Sequence, residues 1–556
     1  AHFFSNYLFI FLWLYLLRRF CIDRFAEFCR RTDLHGYKYI VMDNLNIYER
    51  IFWATAVVLS IGFAINFVII AYEWYARNPI VTVIETTQGA IWDIPFPAVT
   101  VCNLNLVSKR AAYALAHNLT LPENITANEV FATLRLVPLH SSTSPADAEE
   151  RHALRRLQTV LDLNHITIVR RRQRGYKVSN ISRLVRYLCL DGVSPGNPCG
   201  RLVERCMWKN TIFRCEKLFQ PVYTHFSLCC SFNYFALDSN YKPREYVVRL
   251  FVHFPRRVAS CGHQTALSIL VNTQTDDYYS AMIASEGVLV FIDSAYNIPN
   301  TDSPARIVNP TTEVLIALSP EQTYATAGVR SFRPIERQCY YKDEVKIGNF
   351  QHYSFHNCIA FKRIEIIKSV CECIPYYFPM TDYHRTCNFN DMDCLASVMG
   401  KSTYDGQGAF DCLPECEHYD YPLDVAFGKL AIDIKIHGLP FDGIKLGNRT
   451  VVNVFFNDLV SIRYRRDVYL NWQNLLASFG GLLSLMLGFT LLAGFDLLLF
   501  FTFNAAYGSL AAPPSTAAEH APPKNTRMRN QILVHERSNP ASKADKADYP
   551  SWYRYV

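Results

Sequence analysis

The chain has 556 residues, half of them hydrophobic, 14% aromatic and only 19% charged, with a formal net charge of +7. An average soluble domain is about 25% charged, so the composition excludes a disordered or collagen-like chain. Length alone allows roughly three to four domains, but the apolar residues gather in uncharged runs toward the two ends. That distribution argues against a soluble enzyme and predicts a membrane protein with one large polar loop.

In chain order, the first apolar run is 3–17, which is too short for a comfortable span and has no small-residue cleavage site behind it. The chain begins with Ala, and this N-terminus is read as truncated. An interfacial anchor is the alternative for the run. Residues 51–71 (IFWATAVVLSIGFAINFVIIA) are 21 residues without a charge, flanked by Arg50 and Glu73. A helix of about 20 apolar residues crosses a bilayer core; the bland alternative is a buried core helix.

Between this run and the next, strands are expected at 96–102 (FPAVTVC), 246–254 (YVVRLFVHF), 267–272 (LSILVN), 287–292 (GVLVFI), 451–456 and 461–464. Their β-branched and aromatic content carries the reading. Helical spacing predicts helices over 361–370 and, more weakly, over 146–160. Arg170, Arg171, Arg172 and Arg174 are read as a solvated surface, not a nucleic-acid patch. Residues 472–503 form the last apolar run, 32 residues with one charge, Asp496. A straight helix of that length overshoots the hydrocarbon layer, so it must tilt or break. Gly480, Gly481, Gly488 and Gly494 are where a break is cheapest. The tail after Leu510 is rich in Ala, Pro, Lys and Asn and is expected to be disordered.

Two spans place both termini on one side. Arg18, Arg19, Arg24, Arg30, Arg31 and Arg50 precede the first, and Lys524, Arg527, Arg529, Arg537, Lys543 and Lys546 follow the second. The positive-inside rule puts both ends in the cytosol. The expected layout is a cytosolic 1–50, a span over 51–71, an extracellular domain over 72–471, a span over 472–503 and a cytosolic tail over 504–556. Of the 18 cysteines, all but Cys21 and Cys29 lie between the spans. So do four sequons, at Asn118, Asn124, Asn180 and Asn448. Dense, even cysteines in an extracellular segment read as a disulfide framework, in preference to zinc. No internal repeat, phosphate loop, nucleophile elbow or HExxH is present in the sequence, so an enzymatic reading has no anchor.

Several motifs together resemble one family. The stretch Phe96-Pro97-Ala98-Val99-Thr100-Val101-Cys102-Asn103-Leu104-Asn105 is similar to the post-span signature of the epithelial sodium channel/degenerin superfamily. His35-Gly36 before the first span is similar too, as are Gly480-Gly481 and Gly488-Phe489-Thr490 in the second. Cys229-Cys230-Ser231-Phe232-Asn233 and Cys412-Leu413-Pro414-Glu415-Cys416 most resemble the invertebrate pickpocket branch. The likeness runs from about Ala26 to Phe503.

The resemblance implies a membrane α+β fold: two transmembrane helices flanking a large disulfide-rich extracellular domain with a β-palm and a helical thumb and finger. It implies a trimeric, sodium-selective, amiloride-sensitive channel, homomeric or built with related subunits, embedded in lipid. No cofactor, metal or nucleic acid is implied; Na+ is the permeant ion. Carried over by position, the thumb pairs would be Cys339 with Cys416, Cys358 with Cys412, Cys371 with Cys394, and Cys373 with Cys387. The implied palm pair is Cys102 with Cys261. A further thumb bridge of the family falls near Lys362 and Phe410, and neither is a cysteine. Cys189, Cys199, Cys206, Cys215, Cys229 and Cys230 are left unassigned.

The resemblance also assigns the pore. Gly488, Phe489 and Thr490 match the filter triplet, where three copies would offer a ring of carbonyls or hydroxyls to a dehydrating ion. Phe489 departs from the usual small residue. Ala477 matches the position where a small residue lets the gate close, and Ser478 the neighbouring position that is often acidic. Asp496, about two turns after Gly488, matches a pore carboxylate; a span ending earlier would leave it at the interface instead. His35 and Gly36 match the gating motif. From the residues alone, Gly488 and Thr490 would read as a helix-packing face. A non-conducting or receptor-like subunit that needs a sister is the alternative function, and a two-span purinergic-type trimer shares the topology without the motifs.

Overall fold

The computed structural model describes residues 22–141, 147–164, 180–189, 199–238, 254–263, 265, 267–281, 283–300, 303–378, 385–404, 411–431, 444, 446–469, 472–500 and 502. The apolar run at 3–17, the arginines at 170–174, the expected strand at 246–254 apart from Phe254, and the tail lie outside these residues. The chain divides into one unit of residues 65–481 and another of residues 1–64 with 482–556.

In the larger unit, β1 (Ile80–Ala90) pairs antiparallel with β17 (Val460–Val468), which runs parallel to β13 (Glu321–Ala325). β14 (His418–Asp420) closes this four-stranded sheet. A five-stranded sheet has the order β11 (Ala305–Val308), β10 (Val288–Asp293), β2 (Ala98–Asn103), β7 (Ser227–Phe232) and β6 (Phe219–Thr224). A six-stranded sheet follows the order β15 (Leu423–Lys429), β12 (Thr312–Leu318), β16 (Arg449–Phe456), β8 (Leu267–Asn272), β4 (Val203–Trp208) and β5 (Thr211–Phe213). A small ribbon pairs β3 (Asn105–Ser108) with β9 (Tyr278–Ala281).

The five- and six-stranded sheets share one core. Val99, Val101, Phe232, Val290 and Ile292 of the first pack with Ile316, Leu318, Val452, Val454 and Phe456 of the second. Phe96 sits at its centre, edge-on to Trp208 at 5.1 Å and tilted against Phe456 at 5.3 Å. β2 starts after Pro97, which has no N–H to give a central ladder.

Helices gather in a second core. Lys109–Asn118, Ala127–Leu134, Ala148–Leu163 and Asn180–Cys189 bury Leu115, Leu134, Leu154, Leu161 and Leu184 together. Their starts follow local chemistry. Ser108 and Thr126 accept from the Ala111 and Glu129 amides, and Asp147 with Glu150 forms a capping box. A third region is built on helix Phe355–Cys371, which begins six residues before the expected 361 because Ser354 caps it there. Helix Met392–Tyr404 packs beside it.

Seven disulfides brace this unit. Cys339–Cys416, Cys358–Cys412, Cys371–Cys394 and Cys373–Cys387 close the region around the two helices. Near the absent fifth bridge, Lys362 faces solvent and pairs with Glu365 at 3.0 Å. Cys373 and Cys387 also lie close to Asp391. They are joined to each other, and Asp391 holds Arg385 at 2.7 and 3.0 Å, so the trio has no thiolate to offer a metal.

The Cys102–Cys261 pairing is corrected: Cys102 bonds Cys229, and Cys261 carries no disulfide. The strand register explains it. β2 and β7 run antiparallel with Val101 opposite Cys230, so Cys102 falls opposite Cys229, with Cα atoms 4.4 Å apart. Cys261 is held elsewhere, since the next amide, Gly262, donates to the Phe456 carbonyl at 2.9 Å. Consecutive strand residues face opposite ways, so Cys230 points into the main core and bonds Cys199. Cys206–Cys215 is the seventh bridge, and the Cys189 thiol donates to the Leu106 carbonyl at 3.4 Å.

Helix Ile47–Arg77 is long and apolar enough to cross a membrane. At 1.5 Å per residue it is about 46 Å long, and only Val57 and Ala64 are buried along it. A helix apolar and exposed all round needs a non-aqueous surrounding. The last apolar run is not one straight helix. Trp472–Leu487 and Leu491–Leu499 meet at a bend of 70°, and count together as one broken span or as a re-entrant loop.

Candidate functional site

The bend is made by the triplet Gly488-Phe489-Thr490. Gly488 has φ +68°, the left-handed region that side chains disfavour. Its amide still donates back to the Ser484 carbonyl at 2.8 Å. Thr490 then leaves helical geometry, at φ −104° and ψ 165°, and its hydroxyl oxygen accepts from the Ala493 amide at 3.2 Å. The hydroxyl thus starts the second helix as an N-cap.

His35 and Gly36 sit against this bend. The His35 amide donates to the Leu487 carbonyl at 3.1 Å. That carbonyl is one of those a helix C-terminus leaves unsatisfied. A Cβ placed on Gly488 would lie 2.7 Å from His35 Cδ2, so the imidazole occupies the space a side chain would need. Gly36 has φ +85° and turns the chain into helix Tyr37–Val41. A Cβ there would meet Val57 Cγ2 at 2.8 Å.

Phe489 packs beside Phe28, Cys29, Leu34 and Phe500. Phe28 meets Phe500 at 5.5 Å and Tyr37 edge-on at 6.3 Å. The bulky residue in the triplet therefore serves as packing for this small cluster.

The structure brings His35, Gly36, Gly488, Phe489 and Thr490 together. Ala477 and Ser478, in the larger unit, are both exposed on helix Trp472–Leu487. Ala477, Gly481 and Ser484 recur at helical spacing along helix Trp472–Leu487. Asp496 is exposed on helix Leu491–Leu499 and makes no ion pair among the described residues. Nothing in the sequence singles out the Leu487 carbonyl or the Phe28–Leu34–Phe500 cluster. No periodicity links those positions, and the glycine following Leu487 permits a break without marking its carbonyl as available.

In the larger unit, β1 and β17 carry the chain to and from the apolar helices. The Tyr469 amide donates to the Pro79 carbonyl at 2.9 Å, and Trp74 meets the Tyr469 ring edge-on at 4.6 Å. The sequon residues Asn118, Asn124 and Asn448 are exposed; Asn180 is the first residue of its helix.

Comparison with known proteins places the sequence in a family. Residues 28–500 match the family described as amiloride-sensitive sodium channel. The sodium channel protein Nach of Drosophila ananassae is 24% identical over 487 residues, 86% of each chain. Pickpocket protein 28 of Drosophila melanogaster is 23% identical over 513 residues, 85% of this chain and 77% of its own. The bile acid-sensitive ion channel of Homo sapiens is 21% identical over 539 residues, 92% of each chain. On a match that covers most of its length, the chain belongs to the amiloride-sensitive sodium channel family.

Proposed function

We propose that the protein is the pore-forming subunit of a trimeric, sodium-selective, amiloride-sensitive cation channel of the plasma membrane, conducting Na+ passively into the cell. Both termini are cytosolic, and residues 72–471 form the extracellular domain. The sheets correspond to the palm, the disulfide-braced helices at 355–404 to the thumb, and the four helices at 109–189 to the finger. Gly488, Phe489 and Thr490 form the filter, Ala477 and Ser478 flank the gate, Asp496 faces the inner vestibule, and His35-Gly36 supports the filter from below.

The observation that carries this reading is the broken helix at Gly488–Thr490. Irregular backbone at membrane depth is tolerated where protein buries it or water lines it. A backbone that leaves helical geometry can turn carbonyls and a hydroxyl toward an ion, groups able to replace part of a cation's hydration shell. A chain that only anchored the domain would gain nothing from interrupting its helix.

Two experiments test it. In a cell without related channels, Ala477→Phe is expected to give an amiloride-blocked sodium current well above wild type. Ala477 is small and exposed on its own helix, so three bulky side chains meeting at an axis would clash in the closed state and favour the open one. No current from either form at confirmed surface delivery would sink the autonomous channel and leave the subunit that needs a sister. The topology is checked separately. Replacing Asn118, Asn124, Asn180 and Asn448 by Gln one at a time should each remove one enzymatically cleavable glycan. A chain that carries none would overturn the extracellular placement of 72–471.

A further inference from the structure

Two arginines of β17 are left with unmet donors. Arg463 and Arg465 are two residues apart, so they share one face of the strand, about 7 Å from each other along it. The same face carries Gln322 and Tyr324 of β13 and, beyond Gln322, Tyr419 of β14. The Nε atoms of both arginines are shut off from solvent with no hydrogen-bond partner among the described residues. Their side chains nevertheless remain 32% and 40% exposed, so a solute can reach them.

The nearby carboxylates do not supply the missing acceptor. Asp93 Oδ2 stands 4.0 Å from Arg463 Nη2, at the outer limit of an ion pair. Asp467 Oδ2 is 3.5 Å from Arg465 Nε without hydrogen-bond geometry. Its Oδ1 is engaged elsewhere, accepting from Thr326 Oγ1 at 2.9 Å and from the Val468 amide at 2.8 Å. Glu85 Oε1 accepts from the Tyr324 hydroxyl at 2.6 Å, and both arginines are charged neighbours of that phenol. A third guanidinium, Arg257, is exposed at the rim. Burial pushes the Tyr419 phenol up, and Arg257 and Arg463 together pull it back against Glu417 and Asp93.

Two cations side by side on a strand repel, and a desolvated N–H without an acceptor is costly. One anion with several acceptor oxygens, seated between the two side chains, removes both costs.

We propose that Arg463 and Arg465 form a binding site for a small soluble oxyanion, a carboxylate or a sulfate-type group, on the strand that leads to the last apolar run.

The class of ligand follows from shape and depth. The planar guanidinium fork pairs two oxygens of one group, which a spherical halide does not offer. A lipid headgroup is too far away. Arg465 lies three residues before Val468, about 10 Å along β17, and the apolar helix begins only at Trp472. The headgroup layer adds about 5–8 Å to the hydrocarbon core. An effect of the bound anion on conduction rests on the pore reading above; the binding itself does not.

The test is chemical protection. The full-length protein in lipid nanodiscs is treated with phenylglyoxal, which modifies guanidinium groups, and the rate at each arginine is read by peptide mass spectrometry. Sodium sulfate and sodium benzoate are compared with sodium chloride at equal ionic strength. Modification of Arg463 and Arg465 should slow with occupancy, about tenfold once the anion reaches ten times its dissociation constant. Arg306, exposed on β11, should react at one rate throughout. Protection by benzoate alone assigns a carboxylate, by sulfate alone a sulfate-type group, and by both the shared oxyanion chemistry. Arg465→Gln should return Arg463 to its rate in chloride. Arg465→Lys keeps the charge without the fork, guards against misfolding, and should weaken the protection. Equal rates in all three salts would overturn the site. So would arginines already unreactive in chloride, since the protein itself would then close them, and so would protection of Arg463 unchanged in both variants. Modification needs no current, so a silent channel in the Ala477 experiment would overturn the pore and leave this result standing.

Discussion

Gly488→Ala, introduced into the Ala477→Phe channel, should cut the sodium current by at least about tenfold without lowering surface delivery. Two costs add. Left-handed backbone costs a residue with a Cβ about 1–2 kcal/mol. The new Cβ would also lie 2.7–2.9 Å from three atoms of the His35 ring, too close for any real contact, and such overpacking costs about 1–3 kcal/mol. Each ~1.4 kcal/mol is a factor of ten. The two costs separate in a double variant. Gly488→Ala with His35→Ala removes the overlap but keeps the backbone strain, so part of the current should return. The His35 amide donates to Leu487 from the backbone, and that bond survives His35→Ala. If the double variant is no better than Gly488→Ala alone, the imidazole does not press on the filter glycine.

The second large effect concerns the cysteines. Cys102→Ser and Cys229→Ser should each cost about 4–5 kcal/mol of domain stability, since the bridge closes a loop of 127 residues and the neighbouring Cys199–Cys230 shortens it little. Both should sharply reduce the surface fraction, and the two together should do no worse than either alone. Cys261→Ser should leave it unchanged, and a membrane-impermeant maleimide should label Cys261 but not Cys102 in the native protein. Damage from Cys261→Ser equal to that from Cys102→Ser would restore the pairing that the structure has replaced.

That reversal shows where a sequence runs out. The resemblance paired Cys102 by position. The adjacent Cys229 and Cys230 are visible in the sequence, but nothing local marks the strand that carries them as a neighbour of 96–102. Once β2 and β7 lie antiparallel, the register leaves Cys102 facing Cys229 and turns Cys230 to the opposite face. Pairing across a sheet joins residues far apart in sequence, and no local pattern announces it. Helix starts were misjudged for a milder reason. The expected 361–370 helix starts at Phe355, because one serine oxygen satisfies the amide of Asn357 and moves the boundary by six residues.

By itself the sequence determined what depends on run length, spacing and residue type. An uncharged run long enough for a bilayer, a glycine-interrupted second run, a dense set of cysteines between the two and strands such as 267–272 are all legible, because hydrophobicity and β-branching act locally. Tertiary structure decided what depends on parts meeting. It chose the partner of Cys102. It made Phe489 a packing residue for Phe28, Leu34 and Phe500. It also set His35, more than 450 residues before Gly488, against that glycine's empty side. A glycine in the sequence offers only permission to bend; the imidazole packed beside it is what makes the missing side chain a requirement.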